Sequence, residues 1–171
     1  PQRPVVGAFT ATATSEVRED IQRLLELEAP LSITTGFDRD NLYLEVCRPS
    51  VKRVELLARV RERPGECGIV YCSTRKNVEE VCQFLQSSGI SATRYHAGLE
   101  PEERQQNQED FLFDRVQVMV ATNAFGMGID KSDVRFVIHY NMPKDLESYY
   151  QEAGRAGRDG AEARCILLYS G

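Results

Sequence analysis

Residues 68–89 read GIVYCSTRKNVEEVCQFLQSSG, a short apolar run followed by a polar junction and an amphipathic stretch. Gly68 to Tyr71 reads as a buried strand, and Val78, Val81, Cys82 and Leu85 recur at helical spacing. The spacing predicts a helix over Arg75 to Ser88, with Gly89 as its C-terminal stop. The same unit repeats outward. Downstream lie a strand at Ser91 to Tyr95, a helix opened by Pro101, and strands at Val116 to Ala121 and Val134 to His139. A helix near Asp145 to Ala153 and a strand at Arg164 to Leu168 complete that side. Upstream, Leu42, Leu44 and Val46 alternate as in a strand, and a helix follows near Val51 to Arg63. Short apolar strands separated by helices predict an α/β fold, a parallel sheet covered on both faces. Such sheets bind ligands beyond the carboxyl ends of their strands, where the unusual sequences are expected.

The first residues read differently. Val5 to Thr12 and Leu31 to Thr35 suggest short strands on either side of a helix carrying Val17, Ile21, Leu24 and Leu25, with Ser15 as its N-cap. The polar, turn-forming run from Gly36 to Asn41 then marks a domain boundary.

Composition narrows the function classes. With 42% hydrophobic and 27% charged residues in 171, the chain has the make-up of a globular domain and no membrane-length apolar run. The absence of a leader pattern suggests a fragment of a cytoplasmic (bacterial) or nuclear (eukaryotic) protein. Five cysteines without a C-x-x-C pair indicate neither a disulfide framework nor a zinc site, so no metal is expected. A net charge of -5 excludes DNA binding through a broad basic surface, because nonspecific affinity comes from neutralised phosphates.

Local chemistry is concentrated in three stretches. In Gln151-Glu152-Ala153-Gly154-Arg155-Ala156-Gly157-Arg158, two arginines three apart are expected on one helix face and suited to an anion; a solvated helix end is the competing reading. Thr122 ends a strand that runs into Gly126, Gly128 and Asp130, either a phosphate and sugar contact or a tight turn capped by aspartate. Ser73, Thr74 and Arg75 open a helix, as a grip on a backbone phosphate or an ordinary N-cap. His96 reads as an exposed loop residue or a polar site residue, and His139 as a satisfied core residue. No G-x-x-x-x-G-K-[ST] occurs, so this stretch offers no P-loop for ATP phosphates and is expected not to hydrolyse ATP by itself.

Together these stretches resemble the RecQ family of DNA helicases, within the larger group built from two RecA-like lobes. Phe9 to Ala13 is similar to motif III, Ile69 to Arg75 to motif IV, Tyr95 to Glu100 to the Y-H-A-G-L segment, Ala121 to Lys131 to motif V, and Tyr149 to Gly160 to motif VI. The resemblance implies that residues 1–35 end the first RecA-like lobe, 36–41 link the lobes, and 42–171 form the second lobe. It implies an ATP-dependent enzyme, using ATP with Mg2+, that unwinds DNA 3′ to 5′ in repair and recombination. Arg158 would be the arginine finger, Arg155 a second phosphate contact, and Gln151, Gly154, Gly128 and Asp130 further nucleotide-side residues. Ser73, Arg75 and Thr122 would contact the single DNA strand, Thr10 and Thr12 would couple hydrolysis to binding, and the first lobe would be the essential partner. Asp40 and Ser132 stand where the family often has proline, which loosens local backbone without touching phosphate chemistry. A non-catalytic interaction module and an RNA-remodelling lobe are the alternatives.

Overall fold

Parallel pairing demands crossovers long enough to return the chain to the same sheet edge, and helices over alternating faces supply them. The computed structural model describes residues 3–10, 14–34, 39–126 and 129–170. The chain divides into two units, residues 1–38 and 39–171.

In the first unit, α1 (Ser15–Leu24) is capped by Thr14, whose hydroxyl accepts from the Val17 amide at 3.3 Å, one residue earlier than the expected cap at Ser15. The strands expected at Val5 to Thr12 and Leu31 to Thr35 do not form among the described residues. Val5, Phe9, Leu31 and Ile33 are exposed, and no described residue of this unit is buried. A stretch this short cannot enclose a core, and an extended segment without a ladder partner leaves its backbone to water.

The second unit contains β1 (Leu42–Cys47), α2 (Lys52–Arg61), β2 (Gly68–Tyr71), α3 (Arg75–Ser87), β3 (Ala92–Tyr95), α4 (Pro101–Leu112), β4 (Val118–Ala121), β5 (Phe136–His139), α5 (Leu146–Ala153) and β6 (Ala163–Leu168). All pairs are parallel, in the order β1-β6-β5-β2-β4-β3. The predicted α/β parallel sheet is therefore observed. Alternate strand residues feed two cores. Val70, Val118, Val120 and Ile138 pack beneath α2 and α3, while Ile69, Met119, Val137 and Cys165 face a layer that includes Phe111 of α4 and Ala153 of α5. Gly68 is dictated by packing, since a methyl group there would overlap the Phe136 ring.

The alternation expected in β1 holds only at its start, where Leu42 packs against the second core. Leu44 and Val46 are exposed, whereas Glu45 turns inward and pairs with Arg59 at 2.7 Å. As an edge strand, β1 lacks a helix over that part of its face.

The sheet registers place two distinct edges. Tyr71 aligns with Ala121 and with His139, and Tyr95 aligns with Ala121, so the residues after β2, β3, β4 and β5 share the carboxyl edge. The connection from β4 to β5 contains no helix among its described residues; Phe125 and Ile129 lie buried against the second core as the chain passes to the amino edge.

Candidate functional site

At the carboxyl edge, backbone groups that the ladder leaves unpaired are available to ligands or side chains. Thr74, rather than Ser73, caps α3: its hydroxyl accepts from the Asn77 amide at 3.1 Å. Ser73 is left exposed, its amide held by Asn141 Oδ1 at 3.1 Å, and Asn77 Nδ2 donates to the same oxygen at 3.1 Å. The first turn of α3 holds Arg75 and Lys76 and no acid, against the preference of a helix N-terminus for negative charge. Arg75 is exposed and lies across Gly98 of the next loop. Thr122 anchors the neighbouring strand end through its amide, which donates to the Tyr95 carbonyl at 3.2 Å, while its own carbonyl accepts from Phe125 at 3.0 Å. A cavity of about 190 Å3 opens here, bordered by Ser73, Asn123, His139, Asn141, Lys144 and Glu152. Ser73, Arg75 and Thr122 thus come from two strand ends, those of β2 and β4, paired in register.

Both histidines are buried. His96 is 5% exposed, contrary to the exposed alternative, because Nε2 meets Glu79 at 2.8 Å and Nδ1 accepts from the Gly98 amide at 3.1 Å. His139 sits between Tyr71 and Tyr149 and bonds Glu152 through Nε2 at 2.9 Å, so it belongs to the core as expected. Its Nδ1 nevertheless has no hydrogen-bond partner among the described residues. A carboxylate only accepts, so Nε2 is the donor to Glu152.

The arginine segment lies elsewhere. α5 ends at Ala153, and Gly154 to Ser170 begins as a series of turns, so Arg155 and Arg158 do not share a helix face as the spacing suggested. Gly157, with φ +58°, redirects the chain between them, and the sequence signal for that break was its run of glycines. The backbone of the turn is tied toward the amino edge, where the Gly157 amide donates to Val134 at 2.8 Å and that of Asp159 to Ser132 at 3.2 Å, both at the approach to β5, while the Arg155 guanidinium reaches back toward Tyr71 at the end of β2. Arg135, just before β5, pairs with Asp159.

Both guanidinium groups converge on the β4–β5 connection. Arg155 Nη1 donates to the Gly126 carbonyl at 2.8 Å, and Arg158 Nη1 to the Ile129 carbonyl at 3.1 Å and to Asp130 at 3.3 Å. Gly126 has φ +146°, and any Cβ there would occupy the space of the Arg155 guanidinium. Arg158 retains 36% exposure of its side chain and Asp130 91%, leaving donors and acceptors open to a ligand. Gln151 is exposed on α5 and bonds Glu147 at 3.3 Å, while Gly154 forms the helix C-cap. The structure brings neither to the arginine fork. Thr10 is exposed in the first unit, and Gly128 and Thr12 lie outside the described residues.

Two contributors escaped sequence reasoning. Arg39 Nη2 donates to the carbonyls of Ala156 at 3.2 Å and Gly157 at 2.7 Å, and Asn41 Nδ2 to those of Gly157 and Ala161, each at 2.8 Å. Their partners are more than a hundred residues away, beyond the reach of any local pattern.

ATP and Mg2+ fit this site unequally. The open fork of Arg158 suits a phosphate. For a metal, the ligand-type cluster found among the described residues, Cys67, Asp114 and Asp133, surrounds the Lys131 ammonium, which is 2.7 Å from Asp114 and 3.1 Å from Asp133. That position is filled by the protein's own cation, so this cluster does not fit Mg2+. Burial also pushes the thiol of Cys67 up to about 11, keeping it protonated and a poor metal ligand at neutral pH. No helix is long and apolar enough to cross a membrane among the described residues.

Comparison with known proteins bears on the family and the fold. Residues 51–160 match the helicase conserved C-terminal domain. The ATP-dependent DNA helicase RecQ of Bacillus subtilis is 49% identical over 168 residues, 98% of this chain and 28% of that protein. The ATP-dependent DNA helicase Q1 of Rattus norvegicus is 47% identical over 175 residues, 99% of this chain and 28% of the relative. The chain thus spans about 28% of the length of these relatives. A structure of Saccharomyces cerevisiae Dbp5 bound to RNA and ADP BeF3 superposes with a TM-score of 0.80 at 22% identity, covering 95% of this chain and 44% of that one. That likeness shows a shared fold, the RecA-like parallel α/β lobe. The chain belongs to the family of helicase conserved C-terminal domains, and nearly its whole length is similar to a part of RecQ-type DNA helicases.

Proposed function

We propose that this chain is the second motor lobe of an ATP-dependent, 3′ to 5′ DNA helicase of repair and recombination, completing an ATP site whose phosphates are held by a first lobe. The observation that carries the reading is the pose of Arg158, held by one carbonyl yet still part-exposed beside an open acid. Its exposed pair with Asp130 is worth about 0–1 kcal/mol, so a triphosphate displaces it at little cost. Arg158 then faces the γ-phosphate and neutralises charge in the transition state, while Arg155, bonded to Gly126, is the second phosphate contact. Asp130, freed from Arg158, accepts from the sugar. Mg2+ accompanies the nucleotide and is expected to be held by the first lobe and the phosphates.

Ser73, Arg75 and Thr122 grip the tracking strand at the carboxyl edge. Closure of the lobes on ATP and release after hydrolysis alternate that grip, which moves the protein along DNA. The test is the DNA-stimulated ATPase of the protein carrying both lobes. Arg158→Ala is expected to lower kcat by about 10³ or more; an unchanged rate would remove Arg158 from the site. An RNA duplex unwound as fast as DNA would overturn the choice of nucleic acid.

A further inference from the structure

We infer that Arg39 and Asn41 are positioning residues for Arg158, which makes the segment entering the lobe the clamp on its arginine turn. The inference rests on the helicase reading above.

The Gly157 carbonyl directly precedes Arg158 in the chain, and three donors converge on it: Arg39 Nη2 at 2.7 Å, Asn41 Nδ2 at 2.8 Å and the Gly160 amide at 3.0 Å. Arg39 also reaches Ala156 on the other side of the Gly157 peptide, so a single guanidinium spans consecutive carbonyls. The pair is itself joined, Arg39 Nε donating to Asn41 Oδ1 at 3.2 Å. Asn41 is fixed in turn by its backbone, whose carbonyl accepts from the Ala163 amide at 2.9 Å where β1 meets β6. A methyl group on Gly157 would run into Asn41 Nδ2, so turn and clamp fit without spare room.

Holding β1 against β6 needs none of this, because the six-residue ladder from Leu42↔Ala163 to Cys47↔Leu168 already does so. The clamp instead acts on the two peptides leading into Arg158, in a turn whose residues 155–160 carry no helix or strand hydrogen-bond ladder. Hydrogen bonds from a charged donor are the stronger kind, and guanidinium geometry restricts direction as well as distance. A displacement of Arg158 by about 1 Å is enough to cost a large factor in rate, as for any preorganised catalytic group. Arg39 and Asn41 therefore set where the finger points.

The experiment is a double-substitution cycle on DNA-stimulated ATPase in the protein carrying both lobes. Arg39→Ala and Asn41→Ala are each expected to lower kcat at least tenfold with KM for ATP held within about threefold, and Arg39→Lys, which keeps one donor, to recover part of the loss. In the Arg158→Ala background, Arg39→Ala is expected to change kcat less than twofold, because the residue acts through the one already removed. An unchanged kcat in Arg39→Ala and Asn41→Ala, or an equal loss with and without Arg158, would overturn the inference. Should Arg39→Ala fail to fold, Asn41→Ala and Arg39→Lys carry the same cycle. A wild-type protein without DNA-stimulated ATPase would overturn the helicase reading itself, whereas an Arg158→Ala as active as the wild type would remove Arg158 from the site and this inference with it.

Discussion

The carboxyl edge and the arginine turn are built by different physics. At the edge, Ser73, Thr122 and Asn141 sit one or two residues past parallel strands, so the ladder that aligns Tyr71, Ala121 and His139 also aligns them. In the turn, Arg155 and Arg158 are held by side-chain hydrogen bonds to a distant connection, from Arg155 to Gly126 and from Arg158 to Ile129 and Asp130. The first region inherits its geometry from the sheet, whereas the second assembles it from side-chain contacts to backbone carbonyls. One substitution in the turn should therefore do more damage than one at the edge.

The largest separation is expected in rate. Arg158→Ala should lower DNA-stimulated kcat by about 10³ or more, measured at saturating ATP and DNA in the two-lobe protein. An edge variant with an equal loss of kcat would break the contrast.

Next comes Gly126→Ala. The positive φ costs about 1–3 kcal/mol for a residue with a side chain, and the added methyl must displace the Arg155 guanidinium. We expect a lowered thermal midpoint together with a fall in ATPase beyond that of Gly68→Ala, which perturbs only Phe136 in the core. If both variants lose stability alike and neither loses rate, the Arg155 contact has no part in catalysis.

Smaller effects are expected at the edge. Ser73→Ala or Thr122→Ala removes one neutral hydroxyl contact, about 0.5–1.5 kcal/mol, or roughly two- to twelvefold in DNA affinity. The DNA concentration giving half-maximal ATPase should rise by that factor, with maximal rate changing less. A rise of a hundredfold would mean that these residues organise the edge rather than merely touch the strand.

The contrast also accounts for what could be read from the chain alone. The strands and helices of residues 42–168 followed from apolar runs and helical periodicity, down to β2 at Gly68–Tyr71, because buried strands and amphipathic helices write themselves into local pattern. Ser73 and Thr122 were readable for the same reason, as junction residues. The arginines were readable by type but not by placement. A helix through them is the expectation, but α5 ends at Ala153 with Gly154 as its cap; ligand chemistry is expected at the carboxyl edge, and the β4–β5 connection carries Asp130 across to the other side. Arg39 and Asn41 left no local signal, since their partners are set by the closing of β1 onto β6. The strands expected in residues 5–35 needed ladder partners that the described residues of that unit do not provide.

The smallest effect is expected at Lys131, which stands in the connection between the two regions with 4% of its side chain exposed. Burial by itself would lower its pKa, but hydrogen bonds to Asp114 and Asp133 outweigh that and raise it. A raised lysine stabilises the fold fully below its ordinary range and loses that contribution only as pH climbs through the shifted value. Lys131 should thus leave the pH dependence of stability near neutrality untouched and show itself only in alkali. Removing one member of a buried pair costs several kcal/mol when it strands a buried charge. Here the acids left behind are 65% and 52% exposed, and water can solvate them. Lys131→Met, which keeps contact with Phe111, should therefore cost only about 1 kcal/mol by denaturant unfolding at pH 7. A loss of 3 kcal/mol or more would show that the two carboxylates are shielded, and that this connection is as rigid as the sheet it crosses.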